Sequence, residues 1–403
     1  MTAARTYDVI IAGGGPAGSS AGIHLALRGA RVLLAEQKKF PRPKLCGEFI
    51  SPECTTQFER LGVANQMLAS SPSPLTETVF YSQTGARVSV PSDWFSKSGV
   101  ALGLSRAEMD ERLLRRAAEV GVDVREETSV TSLSFKDSRI VGVTLKTPNT
   151  EEPVRAAVTI DATGRSRTLA RMTDSRGSVR SRQRELVAFK AHLRNTDVAP
   201  GACEIYFYRG GYGGLSSIEN GLSNLCFIVN ARDVRECQSN ADRVMRSIVC
   251  RNQRAAHTLR EAMLDSDWLA VSLEGFGRHS PTPAEGLLTI GDAASFIDPF
   301  TGSGMLMALE NGELAANTIT SQLSNHENRQ MYRQLSAQYR AAYERQFSSR
   351  LRLCSVIRRA AFTPGAANFA IRLFGASDSL RRSVARATRS QSKRNFSSAQ
   401  EFK

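Results

Sequence analysis

The sequence predicts an α/β protein: a mainly parallel sheet flanked by helices, an antiparallel sheet inserted into it, and helices toward the C-terminal end. Three segments carry that expectation. Residues 7–18 read Tyr-Asp-Val-Ile-Ile-Ala-Gly-Gly-Gly-Pro-Ala-Gly, an apolar run ending in a glycine-rich turn. Residues 287–304 begin with the apolar run Leu-Leu-Thr-Ile, pass through Gly291-Asp292 and a second glycine-rich loop, and lead into a helical pattern from Met305 to Ile319. Between them lie runs of alternating character, such as 186–193, 204–208 and 225–229, with the spacing of antiparallel strands.

The first segment is a βαβ unit. Gly13 permits the tight turn, Gly15 lets a pyrophosphate approach the backbone, and Gly18 lets the helix pack close to the strand. Pro16 and Ala17 open a helix expected to run to about Leu27, whose free N–H groups and positive dipole end suit phosphate. Arg31 to Ala35 is the next strand, and Glu36 at its end can accept hydrogen bonds from both ribose hydroxyls of an adenosine. A dinucleotide is therefore expected, with FAD and NAD not separated by this unit alone. Further along, Arg106 to Leu114 has helical spacing, Val122 to Val124 is a short strand, and 141–146 and 157–160 read as strands completing the first domain. Residues 241–267 read as helices behind the inserted sheet, and 327–359 as one long Arg-rich helix.

Composition removes several function classes. The 403 residues include seven cysteines, an odd number with no CxxC spacing, which argues for reduced thiols in a cytoplasmic setting and against structural zinc. The five histidines are far apart and give no metal-ligand pattern, so no metal is expected. No basic-then-apolar leader and no apolar stretch of membrane-spanning length are visible. The net charge of +14 is local: residues 331–403 hold fifteen Lys/Arg against three Asp/Glu, leaving the rest near neutral. Nucleic acid is not an expected partner, because no recognisable binding fold accompanies the charge. An apolar stretch containing Phe362, Phe369, Ile371, Leu373 and Phe374 precedes the basic residues 381–389. It can cap the substrate domain ahead of a solvated, disordered basic end, or lie at a membrane surface.

The N-terminal GxGxxG, the mid-chain Asp161-Ala162-Thr163-Gly164 and the late Gly291-Asp292-Ala293-Ala294 together resemble the FAD-dependent oxidoreductases that include aromatic hydroxylases, flavin halogenases and geranylgeranyl reductases. The resemblance covers roughly residues 6–320. It implies a Rossmann-type FAD-binding domain formed by 1–75, 101–184 and 275–325, and a substrate domain formed by 76–100 and 185–274. A C-terminal helical region, 326–380, and a basic tail, 381–403, follow. It implies that Arg106 reaches the FAD, with a surface pair to Asp110 as the alternative. Val130 is expected to bring a backbone amide to the adenine, and Asp292 to meet the ribityl or pyrophosphate portion, with a helix N-cap as its alternative. Gly302, Gly304 and Met305 would open the helix whose N-terminus faces the flavin.

Lys44-Leu45-Cys46-Gly47 matches a Lys-x-Cys-Gly element of the geranylgeranyl reductase group that passes close to the flavin ring. Asp298-Pro299-Phe300-Thr301-Gly302 also resembles that group, whereas a halogenase Trp-x-Trp-x-x-Pro element is missing. Cys46 and Glu48 are thereby candidate catalytic residues. Cys46 can act on the flavin or simply pack beside it; Glu48 can donate a proton or accept free N–H groups at a helix start. The implied activity is hydride transfer between flavin N5 and a carbon of an apolar or aromatic small molecule, as reduction or desaturation. The alternative is a monooxygenase working through a C4a-hydroperoxide. Electrons would come from NAD(P)H bound transiently, or from a separate reductase, since only one dinucleotide fingerprint is visible.

Overall fold

A computed structural model gives the structure of the chain and describes residues 6–96, 99–174, 186–273, 276–297, 302–323, 329–362 and 365–388. Strand Thr6–Ala12 lies between Val32–Ala35 and Glu151–Asp161, all parallel. Asp123–Arg125 extends the sheet beyond Val32–Ala35, and Leu287–Thr289 pairs with the far end of Glu151–Asp161. An antiparallel pair, Ser129–Lys136 and Arg139–Lys146, completes it. The apolar residues of Thr6–Ala12 and Val32–Ala35 are buried on both faces, which is why these strands read as unbroken apolar runs.

The glycines explain how closely the layers meet. At Gly13, with φ +109°, a Cβ would lie 2.4 Å from the Ala162 carbonyl oxygen, and at Gly18 it would lie 1.9 Å from the Gly13 carbonyl oxygen. Helix Pro16–Ala26 starts with proline at its first turn, where the missing N–H costs nothing. It crosses the long helix Gly304–Leu323 at Gly312, where a Cβ would meet the Ala17 carbonyl oxygen at 2.6 Å. Ser20 Oγ donates to the Leu309 carbonyl at 2.8 Å across the same seam.

The inserted sheet has the order Met263–Leu264, Leu186–Arg194, Ser223–Asn230, Gly211–Ser217, Ala202–Tyr208, Glu77–Tyr81, Arg87–Pro91, with Leu269–Leu273 also on Leu186–Arg194. Its pleat separates two apolar clusters. Phe189, Tyr206, Leu225 and Phe227 pack with Val244, Val249 and Leu259 of the short helical segments behind the sheet. Ala188, Phe207, Tyr212 and Ile228 form the other cluster with Phe296, Leu273 and Ile371. Period-2 alternation thus places one face on a helical backing and the other toward the first domain.

Helix Arg329–Phe362 buries Tyr332, Leu335, Tyr339, Tyr343, Phe347 and Leu351, a stripe at three- and four-residue spacing that joins the core of the first domain. Ala366–Ala376 and Asp378–Ala387 follow as separate helices. The expected disordered end beginning at residue 381 is corrected here through residue 387. Ser377 caps the last helix by accepting the Leu380 N–H at 3.3 Å, and Arg381 and Arg382 stand over the Trp94 ring at 5.4 and 5.0 Å. Residues 389–403 lie outside the described residues. No helix among the described residues is long and apolar enough to cross a membrane.

Candidate functional site

A cavity of about 430 Å³ runs between the domains. One end is formed by Glu36 and by Thr128 to Val130, the middle by Gly13 and Gly15 to Ala17, and the other end by Lys44 to Glu48, Asp292, Gly302, Gly304 and Met305. The inserted sheet closes it with Ala188, Cys226, Ile228 and Leu273.

At the first end, Glu36 is buried, and its oxygens accept the N–H of Gly14 at 2.8 Å and of Lys38 at 2.9 Å. A carboxylate held this way keeps lone pairs for further donors. Arg42 stands nearby, 3.7 Å from Glu36 and 3.6 Å from Asp110. A Cβ at Gly15 would meet nothing nearer than the Arg42 guanidinium at 4.0 Å. The open start of helix Pro16–Ala26 therefore faces free space with a cation beside it. That arrangement fits a pyrophosphate.

Asp292 sits in the short turn Gly291–Ala293, just after strand Leu287–Thr289. Helix Gly304–Leu323 starts twelve positions later, so Asp292 does not cap it. Burial raises the Asp292 carboxyl above its ordinary value, with Arg165, Arg106 and Lys44 opposing that rise. Burial, together with Arg42, Arg106 and Arg165, lowers the Lys44 amine, and Asp292 works the other way. The turn is fixed from behind: Asn311 Oδ1 accepts the Gly291 N–H at 2.9 Å, and Asn311 Nδ2 donates to the Tyr339 hydroxyl at 2.7 Å. Tyr339 in turn donates to the Thr289 carbonyl at 3.0 Å. Asp161, at the end of the mid-chain strand, is a structural group. It accepts the N–H groups of Leu169 and Ala170 at 3.0 and 2.9 Å at the start of helix Thr168–Thr173.

Arg106 makes the expected pair with Asp110, bidentate at 2.7 Å for both contacts, yet both residues are buried rather than on the surface. Burial works against the Arg106 charge, and Asp110 overrides it to raise the guanidinium further above its ordinary value. Arg106 lines the cavity, so the pairing and the cofactor-facing position hold together.

Glu48 is only 1% exposed and adopts a left-handed backbone conformation at φ 52°. One carboxylate oxygen accepts the Arg106 N–H at 2.8 Å, at the first turn of helix Arg106–Glu119, and also pairs with the Lys190 ammonium. The other lies 2.7 Å from His192 Nε2. Burial pulls the Glu48 carboxyl up, but the His192 hydrogen bond, Lys190 and the Arg106 amide outweigh it and hold it below the ordinary range. A carboxylate held ionised is a poor proton donor at neutral pH. The geometry therefore matches the helix-start reading of Glu48, with two basic partners from the inserted sheet added. Lys190 Nζ also donates to the Lys44 carbonyl at 3.2 Å, and Asn224 Nδ2 to the Cys46 carbonyl at 3.2 Å. The Lys44–Glu48 loop is thus tied to the sheet that covers it.

Cys46 is half-buried, its sulfur accepting the Glu48 N–H at 3.4 Å. Across the cavity, burial first and then Cys46 push the Cys226 thiol up to about 12, leaving it protonated and unreactive. All the sequence-chosen positions Gly13, Gly15, Pro16, Ala17, Glu36, Cys46, Gly47, Glu48, Arg106, Val130, Asp292, Gly302, Gly304 and Met305 line this one cavity. Gly18 lies behind it and sets the packing. Asp298 to Thr301 fall outside the described residues. Arg42, Arg165, Lys190, His192 and Asn224 were not anticipated; Arg42, flanked by Pro41 and Pro43, carried the only local signal, a basic residue in a rigid turn.

This fold and cavity define a flavin-dependent oxidoreductase with FAD as its cofactor. The chain matches the FAD binding domain family over residues 6–346 and belongs to it. It is 27% identical over 342 residues to the digeranylgeranylglycerophospholipid reductase of Thermoplasma volcanium, covering 80% of each chain. It is 28% identical over 336 residues to the menaquinone reductase of Mycolicibacterium smegmatis, covering 78% of this chain and 76% of the relative. A flavin-dependent brominase structure superimposes with a TM-score of 0.77 at 22% identity, over 95% of this chain and 93% of the other, a likeness of fold.

Proposed function

We propose that this flavoenzyme reduces, or in the reverse direction forms, a carbon–carbon double bond in an apolar molecule, and that the molecule carries an isoprenoid chain. The observation that carries this reading is the apolar wall of Ala188, Ile228, Leu273 and Phe296 beside the Lys44–Gly47 loop. The two reductase relatives support the substrate class through the lipid and the quinone in their names.

FAD, when bound, supplies the two-electron chemistry. Glu36, the start of helix Pro16–Ala26, and Arg42 are placed to hold its adenosine and phosphate portions, and Asp292 with Gly302 to Met305 its ring end. The apolar wall excludes water and orients the substrate, while Lys190, His192 and Asn224 fix the loop bearing Cys46. Halogenation is disfavoured by the tryptophans. Trp268 packs edge-on against Phe227 at 5.5 Å on the far face of the sheet, and Trp94 lies beneath Arg381 and Arg382. Electrons would arrive from NAD(P)H bound transiently or from a separate reductase.

The test is anaerobic: dithionite-reduced holoenzyme is mixed with a geranylgeranyl lipid or a menaquinone, and flavin absorbance and product mass are followed. Flavin reoxidation with a mass gain of two hydrogens that persists after any quinol has been reoxidised in air supports the proposal. No reoxidation until oxygen is admitted, with oxygen then appearing in the product, replaces it with a monooxygenase.

A further inference from the structure

We propose that helices Ala366–Ala376 and Asp378–Ala387 form a docking face for an anionic lipid bilayer, laid in the plane of the membrane at the Arg87–Pro91 edge of the inserted sheet. The first helix has two apolar faces. Ala367, Ile371 and Phe374, spaced three and four apart, join the apolar cluster that also holds Val88, Tyr212 and Phe207 of the inserted sheet. On the opposite arc, Phe369 is 68% exposed and Leu373 43% exposed. Leu380 on the next helix continues the exposed apolar surface. Large aromatic and aliphatic side chains left in water on a helix already packed on its other side mark an interaction surface.

The charge around these side chains identifies the occupant. Residues 365–388 contain Arg372, Arg381, Arg382 and Arg386 against a single acid, Asp378, whereas residues 1–330 are close to neutral. Arg372, Arg382 and Arg386 are exposed. Arginines flanking exposed Phe and Leu on short amphipathic helices suit anionic headgroups above and acyl chains below. An acidic protein partner would use the arginines but would not need the Phe369–Leu373 ridge in a hydrocarbon layer. Because the same helix packs with its other face on strand Arg87–Pro91, docking brings the bilayer to the edge of the inserted sheet that covers the cavity, without a spanning segment.

Sedimentation of the full-length holoprotein with phosphatidylcholine vesicles, with and without phosphatidylglycerol, tests this independently of any turnover and so of the reaction proposed above. Binding is expected to the phosphatidylglycerol vesicles at low salt and to fall steeply in 0.5 M salt, where the Debye length shrinks to about 4 Å. F369S/L373S is expected to weaken partitioning on the order of tenfold or more, and R372E, which takes no part in the Trp94 contacts, by roughly fivefold or more, each with unchanged melting temperature and flavin content. Replacing Arg389, Lys393, Arg394 and Lys403 with Gln is expected to leave most of the binding. Absence of vesicle binding, binding untouched by F369S/L373S, or binding lost only with the residues beyond 388 each overturns the proposal, as does selective binding to an acidic carrier protein instead of vesicles.

Discussion

The two walls of the cavity are built by different means. The lower wall is backbone: Gly13 and Gly18 let strand, turn and helix close up against one another, and Gly15 leaves open space at the helix start. The upper wall is side chain, drawn from the inserted sheet and locked to the lower one by Glu48, which reaches Lys190 and His192 more than a hundred residues away. A site made by backbone tolerates almost no added atom. A site made by side chains tolerates change in shape but not in charge balance.

The sharpest test of that contrast is Glu48→Gln. It leaves the shape and strips the charge, stranding the Lys190 ammonium in a buried site. Breaking a buried pair in this way costs about 3–5 kcal/mol, read as a lower midpoint in urea, and a second change, Lys190→Met, is expected to recover part of the loss. The pH dependence follows from the depressed folded-state value of Glu48. Its contribution is full above the ordinary carboxylate value of 4.5 and is lost as pH falls through the lower folded value. The gap in unfolding free energy between wild type and Glu48→Gln is therefore expected to close in acid below pH 4.5; a gap that widens there contradicts the ionised assignment.

The backbone wall is probed by Gly18→Val. The first added carbon would lie 1.9 Å from a carbonyl oxygen that cannot swing aside. Overpacking of this kind costs roughly 1–3 kcal/mol or more, and the purified variant is expected to be nearly colourless. Retention of full flavin absorbance would show that the helix can retreat from the strand. Asp292→Ala is milder: losing a charge-assisted partner weakens FAD binding by about ten- to a hundredfold, equivalent to roughly 1.5–3 kcal/mol, measured by fluorescence titration of the apoprotein. Cys46→Ser is expected to be smallest, with FAD affinity unchanged and turnover or flavin potential shifted. If neither moves, the thiol serves packing alone.

How much of this was legible in the sequence divides along the same line. The placement of Gly13, Gly18 and Glu36 follows from spacing because they lie within one βαβ unit, where a few residues of chain fix the geometry. Asp292 was legible for the same reason, a strand delivering a carboxylate to a turn. Lys190 and His192 carried no signal beyond a strand with two basic residues on one face, because their partner lies across a domain boundary. The buried character of the Arg106–Asp110 pair was equally invisible: helical spacing gives the contact but not whether water reaches it. The helix at 378–387 was missed because its composition is arginine-rich, while its order comes from Ser377 and from Trp94, some 290 positions upstream.

The seam between Pro16–Ala26 and Gly304–Leu323 has a consequence for biosynthesis. Ser20 and Leu309 are 289 positions apart, and the turn at Gly291 is held by Asn311 and Tyr339 later still. A nascent chain emerging from the ribosome displays its phosphate-binding turn early, with no braced ring-binding turn opposite it until Asn311 and Tyr339 have followed. Flavin capture is thus expected only after residues 291–339 have joined the fold, and chains cut short before Gly291 are expected to accumulate without colour.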